Sequence, residues 1–180
     1  EQAVTSNDSK PLTRLDRLHQ AVENNPESAV AHRRLGTALI QAGFLRKSLE
    51  TLEHAVKLDA SCAEAWVNLG GILLGSWDFA GCVEVNRKVA ARNPDMLLAH
   101  YNQGLGHLYL REAKEMIACM RRVLAIDPEH AAGHYDLAVG LLEIGKVEEA
   151  RAALDRAVEL GHSPAPEFLK ALERKDMSAQ

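Results

Sequence analysis

The chain has 180 residues, 47% of them apolar but only 4% aromatic, with a net charge of −4 and a pI near 6.1. The mild acidity excludes the basic stripe with which a protein attracts nucleic acid or an anionic membrane surface, and no apolar run approaches the ~18 residues needed to span a bilayer. Scarce aromatics among many small and medium helix formers favour packed helical layers over an aromatic β core.

Residues 1–10 are polar and unpatterned and read as a disordered tail. A leading helix is expected over residues 11–28, with Pro11 in its first turn after Ser9 or Lys10. Its stripe is Leu12, Leu15, Leu18 and Val22, and Asn24, Asn25 and Pro26 stop it. Four units of equal length follow, at 29–62, 63–96, 97–130 and 131–164. Each reads as a helix pair, turning near Gly43, near Gly75 to Asp78, near Arg111 and near Gly145. Proline and glycine at the breaks stop one helix and start the next. A capping helix is expected over 165–175, with Phe168, Leu169 and Leu172 on one side, and a tail over 176–180.

The equal length is fixed by a ruler. Gly36, Gly70, Gly104 and Ala138 are 34 residues apart, as are Pro26, Ala60, Pro94, Pro128 and His162, and also His32, Trp66, His100 and His134. A helix pair repeated at this period cannot bury its apolar face alone, so neighbours stack into an all-α solenoid.

The run Ala63 to Leu74, AEAWVNLGGILL, resembles tetratricopeptide repeats. Leu-Gly at repeat positions 7 and 8 is matched by Leu35-Gly36 and Leu69-Gly70. The family's small residues at positions 20 and 27 correspond to Ser48, Cys82, Met116, Ala150 and to Ala55, Val89, Val123, Ala157. Close helix crossings leave no room for long side chains there. Unit three departs most, with Gln103, His107 and Met116 at positions usually apolar or small. The resemblance implies a right-handed superhelical solenoid of helix-turn-helix repeats whose first helices line a concave groove.

The first helix of unit three also points to that face by its own composition. Leu97, Leu98, Tyr101, Leu105, Leu108, Tyr109 and Leu110 go nearly all the way round, where a surface helix carries one apolar stripe. Leu98, Tyr101, Leu105 and Leu108 form a coherent second stripe. Unit four repeats it with Tyr135, Val139 and Leu142, and unit two more weakly with Val67 and Leu74. In unit one Arg33, Arg34 and Thr37 stand there instead. The groove is therefore expected to be basic at its start and apolar from unit two to unit four, the mark of an interaction site.

Asn68, Asn102 and Asp136 recur at the same 34-residue interval. Side-chain amides can hold an extended peptide backbone without reading its side chains. The pattern is similar to the asparagine ladder in repeats of O-linked N-acetylglucosamine transferases. Co-chaperone tetratricopeptide domains grip a terminal carboxylate from positions that here carry Arg33, Thr37, Asn68, Leu98 and Asn102, without the third-unit cations.

His130 and His134 have a ligand spacing but straddle a unit boundary, so no metal site is expected. His32, His100 and His134 read as half-buried packing residues. Cys62, Cys82 and Cys119 read as free thiols of a reducing compartment, consistent with a cytoplasmic location. No nucleophile elbow, P-loop or dinucleotide fingerprint is present, and no cofactor is expected. The expectation is a non-enzymatic scaffold or adaptor binding a peptide or amphipathic helix of a protein partner. The alternatives are the recognition arm of a larger enzyme, such as a glycosyltransferase, and a scaffold that assembles as a homo-oligomer.

Overall fold

The computed structural model describes residues 12–179 and shows, among them, ten α-helices and no strand. They are α1 (Arg14–Asn24), α2 (Ala29–Gln41), α3 (Leu45–Leu58), α4 (Ala63–Gly75), α5 (Phe79–Arg92), α6 (Leu97–Tyr109), α7 (Ala113–Ile126), α8 (Ala131–Glu143), α9 (Val147–Glu159) and α10 (Pro166–Ala179). First helices begin at Ala29, Ala63, Leu97 and Ala131, in the register of the ruler. The chain divides into two compact units, Glu1–Ala65 and Trp66–Gln180. None of the described helices is long and apolar enough to cross a membrane.

The ends differ from expectation. The tail at 1–10 and Pro11 lie outside the described residues. Thr13 caps α1: its hydroxyl accepts from Asp16 N–H, and the Asp16 carboxylate accepts from the Thr13 backbone, a reciprocal capping box. At the other end α10 continues to Ala179, past the expected limit at 175.

All four hairpin turns close in the same way. The residue after the helix cap adopts a left-handed conformation: Gly43 (φ 80°), Trp77 (66°), Arg111 (64°) and Gly145 (79°). The next N–H then reaches back five residues, Phe44 to Leu39, Asp78 to Leu73, Glu112 to His107 and Lys146 to Leu141, each at 2.9 Å. These are Schellman closures, which satisfy the helix's last carbonyls. Glycine adopts that φ freely; Trp77 and Arg111 do so against a Cβ clash.

The breaks between repeats have their own device. His32, His100 and His134 each place Nε2 at 2.8–2.9 Å from a carbonyl six residues earlier, on Pro26, Pro94 and Pro128. The half-buried packing role read for these histidines is thereby given a polar purpose, tying each new helix to the turn that precedes it. Ser28, Asp78 and His130 accept from the N–H three residues on and cap α2, α5 and α8.

In the first three repeats the first helix lies against the second through a glycine. A Cβ on Gly36 would stand 2.6 Å from Leu52 Cγ, and one on Gly104 would stand 2.5 Å from Met120 Cε. A side chain there needs the facing residue to give way, which is why the position holds Gly in three repeats and nothing larger than Ala138 in the fourth. Ser48, Cys82, Met116 and Ala150 are all fully buried at the matching small position, and Ser48 Oγ donates to Gly36 O at 2.8 Å. In the Trp66–Gln180 unit, Met116, Met120 and Val123 form one core cluster, and Leu141, Leu142, Ala150, Leu154, Phe168 and Leu172 belong to a second, closed by α10.

Candidate functional site

The candidate face is carried by α6 and α8, first helices of repeats three and four. α6 lies between α7, its hairpin partner, and α5 of the preceding repeat, and α7 in turn meets α8. Flanking helices therefore reach both apolar stripes of α6. Leu97, Tyr101, Leu105 and Leu108 are partly buried and pack against Met116, Met120 and Val123, together with Leu137 and Val139 from α8. Leu98, at 46% exposure, stays open to solvent.

This corrects the expectation of a trough lined throughout by free apolar side chains. Val67 and Leu142 are 3% and 5% exposed and belong to the core. Leu142 lies in the cluster closed by Phe168 and Leu172 of α10, and Lys175 of that helix donates to the Leu142 carbonyl. Leu74, Tyr101, Leu105, Leu108, Tyr135 and Val139 are half-buried, presenting edges and not whole side chains. Tyr135 stacks on His162 at 4.3 Å between ring centroids and meets Phe168 edge-on at 5.3 Å.

The polar ladder is also corrected. Asn102 is 8% exposed, and its amide donates to Val67 O at 3.3 Å, in the preceding repeat of the same chain. Asn68 is half-buried. Asp136 is 9% exposed, accepts from the Tyr101 hydroxyl and lies near His130 and His162. Burial pushes its carboxyl above the ordinary value, and the neighbouring Tyr101 phenol is raised too, by burial first and by the Asp136 charge second. The Asn102 amide, which sequence assigned to a ligand backbone, and the Asp136 carboxylate thus join consecutive repeats.

The basic start of the groove lies in the Glu1–Ala65 unit. Arg33 is ion-paired with Glu64 at 2.5 Å. The Thr37 hydroxyl donates to Arg33 O at 2.9 Å, within its own helix. Arg34 is exposed. The charge of Arg33, expected to make the start of the groove basic, is therefore balanced by a carboxylate of its own unit.

Sequence reasoning passed over an exposed aromatic chain at one hairpin edge. Trp77 (78% exposed) lies 5.9 Å from Phe79, which stacks at 4.6 Å on Tyr109 (55% exposed). The apolar face of α6 runs into this edge through Tyr109. His107 was also missed as a pair. It is 8% exposed, with Nδ1 2.6 Å from Glu112 Oε2. The signal was available: the same repeat position holds Leu39, Leu73 and Leu141, and His107 alone is a polar residue there, followed five residues on by Glu112. His130 and His134 are both occupied, by Gly133 N–H and by Pro128 O. Cys82 and Cys119 are buried thiols, pushed up to about 11 chiefly by burial.

Two family models, each described as tetratricopeptide repeat, match residues 33–96 and 112–174, together well over half the chain. No curated protein sequence matches it. Among solved structures, the chain is similar to a crystal structure of MamA, with a TM-score of 0.73 at 20% identity over 81% of this chain and 85% of that one. MamA from Desulfovibrio magneticus RS-1 gives 0.73 at 20% identity over 81% and 82%. MamA AMB-1 gives 0.70 at 22% identity over 79% and 85%. At such identities the likeness concerns fold, and nothing in these matches singles out transferase repeats. With the hairpin register, its Schellman turns and both family matches in agreement, the chain belongs to the tetratricopeptide-repeat family, an all-α protein-interaction scaffold.

Proposed function

We propose that the protein is a non-enzymatic adaptor that docks a peptide or amphipathic helix of a partner protein across α6 and α8. The supporting observation is Leu98. It is a large apolar side chain left 46% exposed beside the half-buried Tyr101 and Leu105. Such a continuous apolar strip, completed by a partner's own apolar face, follows the helix-in-groove mode of recognition. Asn102 serves this role by tying α6 to α4, and Asp136 by tying α8 to α6, instead of gripping the ligand.

The test replaces Leu98 by Gln and measures capture of partner from native extract. Tyr101→Asp would place a second carboxylate beside the buried Asp136 and confound folding with binding; Leu98 has no such burden. Loss of capture with unchanged helicity is the expected result. Undiminished capture by the folded variant removes this face from consideration.

A further inference from the structure

In the Trp66–Gln180 unit the hairpin turns and the breaks between repeats expose different chemistry. At the breaks the exposed residues are proline and acid, Pro94 with Asp95 and Pro128 with Glu129. At the turns they are large and apolar: Trp77 and Tyr109 are more than half exposed, and Leu110 and Ile144 more than a third. The turns adjoin one another. Phe79, after the second turn, stacks on Tyr109 at the third, and Arg111 of the third turn pairs with Glu143 at the fourth, 2.9 Å away. Trp77 and Arg111 are also the two non-glycine residues of positive φ among the described residues, in neighbouring turns. Strain of this kind collects where a side chain has a use beyond the fold.

Charge and shape narrow the occupant. Each carboxylate at these turns is already served: Asp78 accepts from Gly81 N–H at 2.9 Å, Glu112 lies 2.6 Å from His107 Nδ1, and Glu143 holds Arg111. Lys146 pairs with Glu149 at 2.6 Å. The edge is neutral by internal pairing and offers no unmatched charge to select and orient a protein. Rings more than half exposed on turns line no groove for a peptide. What remains is Trp and Tyr beside Leu and Ile, flanked by Arg and Lys. Those residues settle at the headgroup level of a bilayer, with apolar bodies below and polar tips above.

We propose that this edge rests on the interface of a zwitterionic lipid bilayer, a peripheral contact made by Trp77, Tyr109, Leu110 and Ile144. Zwitterionic headgroups suit a neutral edge on a chain of net charge −4, which an anionic surface repels. The contact is independent of the α6–α8 docking face. Leu98 lies in the first turn of α6 and Tyr109 ends it, about 16 Å apart along the axis, so a chain seated on lipid keeps Leu98 clear of the headgroups.

Sedimentation with vesicles of phosphatidylcholine alone tests this. Wild type partitions onto them, Trp77→Gly binds at least tenfold more weakly, and Leu98→Gln binds as wild type does. Glycine is the residue that two sister turns use, so Trp77→Gly keeps its helices, which circular dichroism verifies. Phosphatidylcholine brominated on its acyl chains quenches the tryptophan emission of wild type, a readout that needs no variant. No sedimentation of wild type at millimolar lipid, equal binding by Trp77→Gly, or binding that requires phosphatidylserine overturns the lipid contact. An equal loss in Leu98→Gln overturns it too, since vesicles then adsorb to any exposed apolar side chain. Capture of a protein partner that Trp77→Gly loses, without vesicle binding by wild type, assigns the edge to protein instead. Failure of the docking face, read from partner capture by Leu98→Gln, leaves the vesicle result untouched.

Discussion

The side-chain amide of Asn102 donates to the carbonyl oxygen of Val67 at 3.3 Å, across a separation of 35 residues. The next repeat makes the same step with different chemistry, the Tyr101 hydroxyl donating to Asp136. A polar residue at one fixed place in the first helix is thus the joint between consecutive repeats. Asn102→Ala should destabilise the chain by about 1–2 kcal/mol, the range for losing a buried hydrogen bond. Urea unfolding followed by circular dichroism measures it, and an unchanged midpoint would show that the joint contributes nothing.

Asn86 is the weak member of the core. It is fully buried, its amide nitrogen bonds Cys82 O at 2.8 Å, and its Oδ1 has no hydrogen-bond partner. The matching positions hold Leu52, Met120 and Leu154, all core residues at 5% exposure or less. Asn86→Leu should therefore raise stability by about 1 kcal/mol, since it removes an unsatisfied acceptor and adds apolar burial. A lowered melting temperature would mean that Gly70, where an added Cβ would stand 2.1 Å from Asn86 Nδ2, lies too close for leucine.

At the second hairpin turn, Trp77 holds φ 66° where two sister turns use glycine. Trp77→Gly should stabilise the fold by about 0.5–1 kcal/mol by relieving the left-handed strain, less what glycine's greater unfolded-state freedom takes back. Thermal unfolding decides, and a decrease would mean that the contact with Phe79 at 5.9 Å outweighs the strain.

Asp136 gives a pH signature of defined sign. Burial raises its folded pKa above the ordinary 3.8, so the folded state binds the proton more tightly than the unfolded chain. Its contribution to stability is greatest below 3.8 and declines as pH rises from there through the raised value. Asp136→Asn should abolish that decline, so that the wild-type-minus-variant stability falls as pH rises from 3.8 through the raised value. A difference that is flat, or of opposite slope, would show that the carboxylate is as well satisfied folded as unfolded.

The architecture was legible because it is periodic. Gly36, Gly70 and Gly104 announced the close helix crossings, and Gly43, Arg111 and Gly145 fell in the turns where the spacing put them. Direction was not legible. Spacing alone says that Asn102 and Asp136 recur, but whether they face a ligand or the preceding helix depends on the stagger of neighbouring repeats. Val67 and Leu142 were misjudged for a related reason. A second apolar stripe looks free on an isolated helix, yet a first helix in a stack is flanked on both sides, and Leu142 is also closed off by the core residues of α10. The N-cap at Thr13 was readable from Thr13 and Asp16, three apart, but Pro11 drew the boundary outward. Trp77 gave no sign of its backbone conformation, because the period marks a turn without stating which residue takes positive φ.

The most direct test of the docking face uses a photo-crosslinking amino acid placed in living cells, at position 98 of α6 in one variant and at position 118 of α7, another exposed site, in a second. A partner adduct formed from position 98 and absent from position 118 is the predicted result. Adducts formed from 118 with none from 98 would contradict it and move recognition to the second helices.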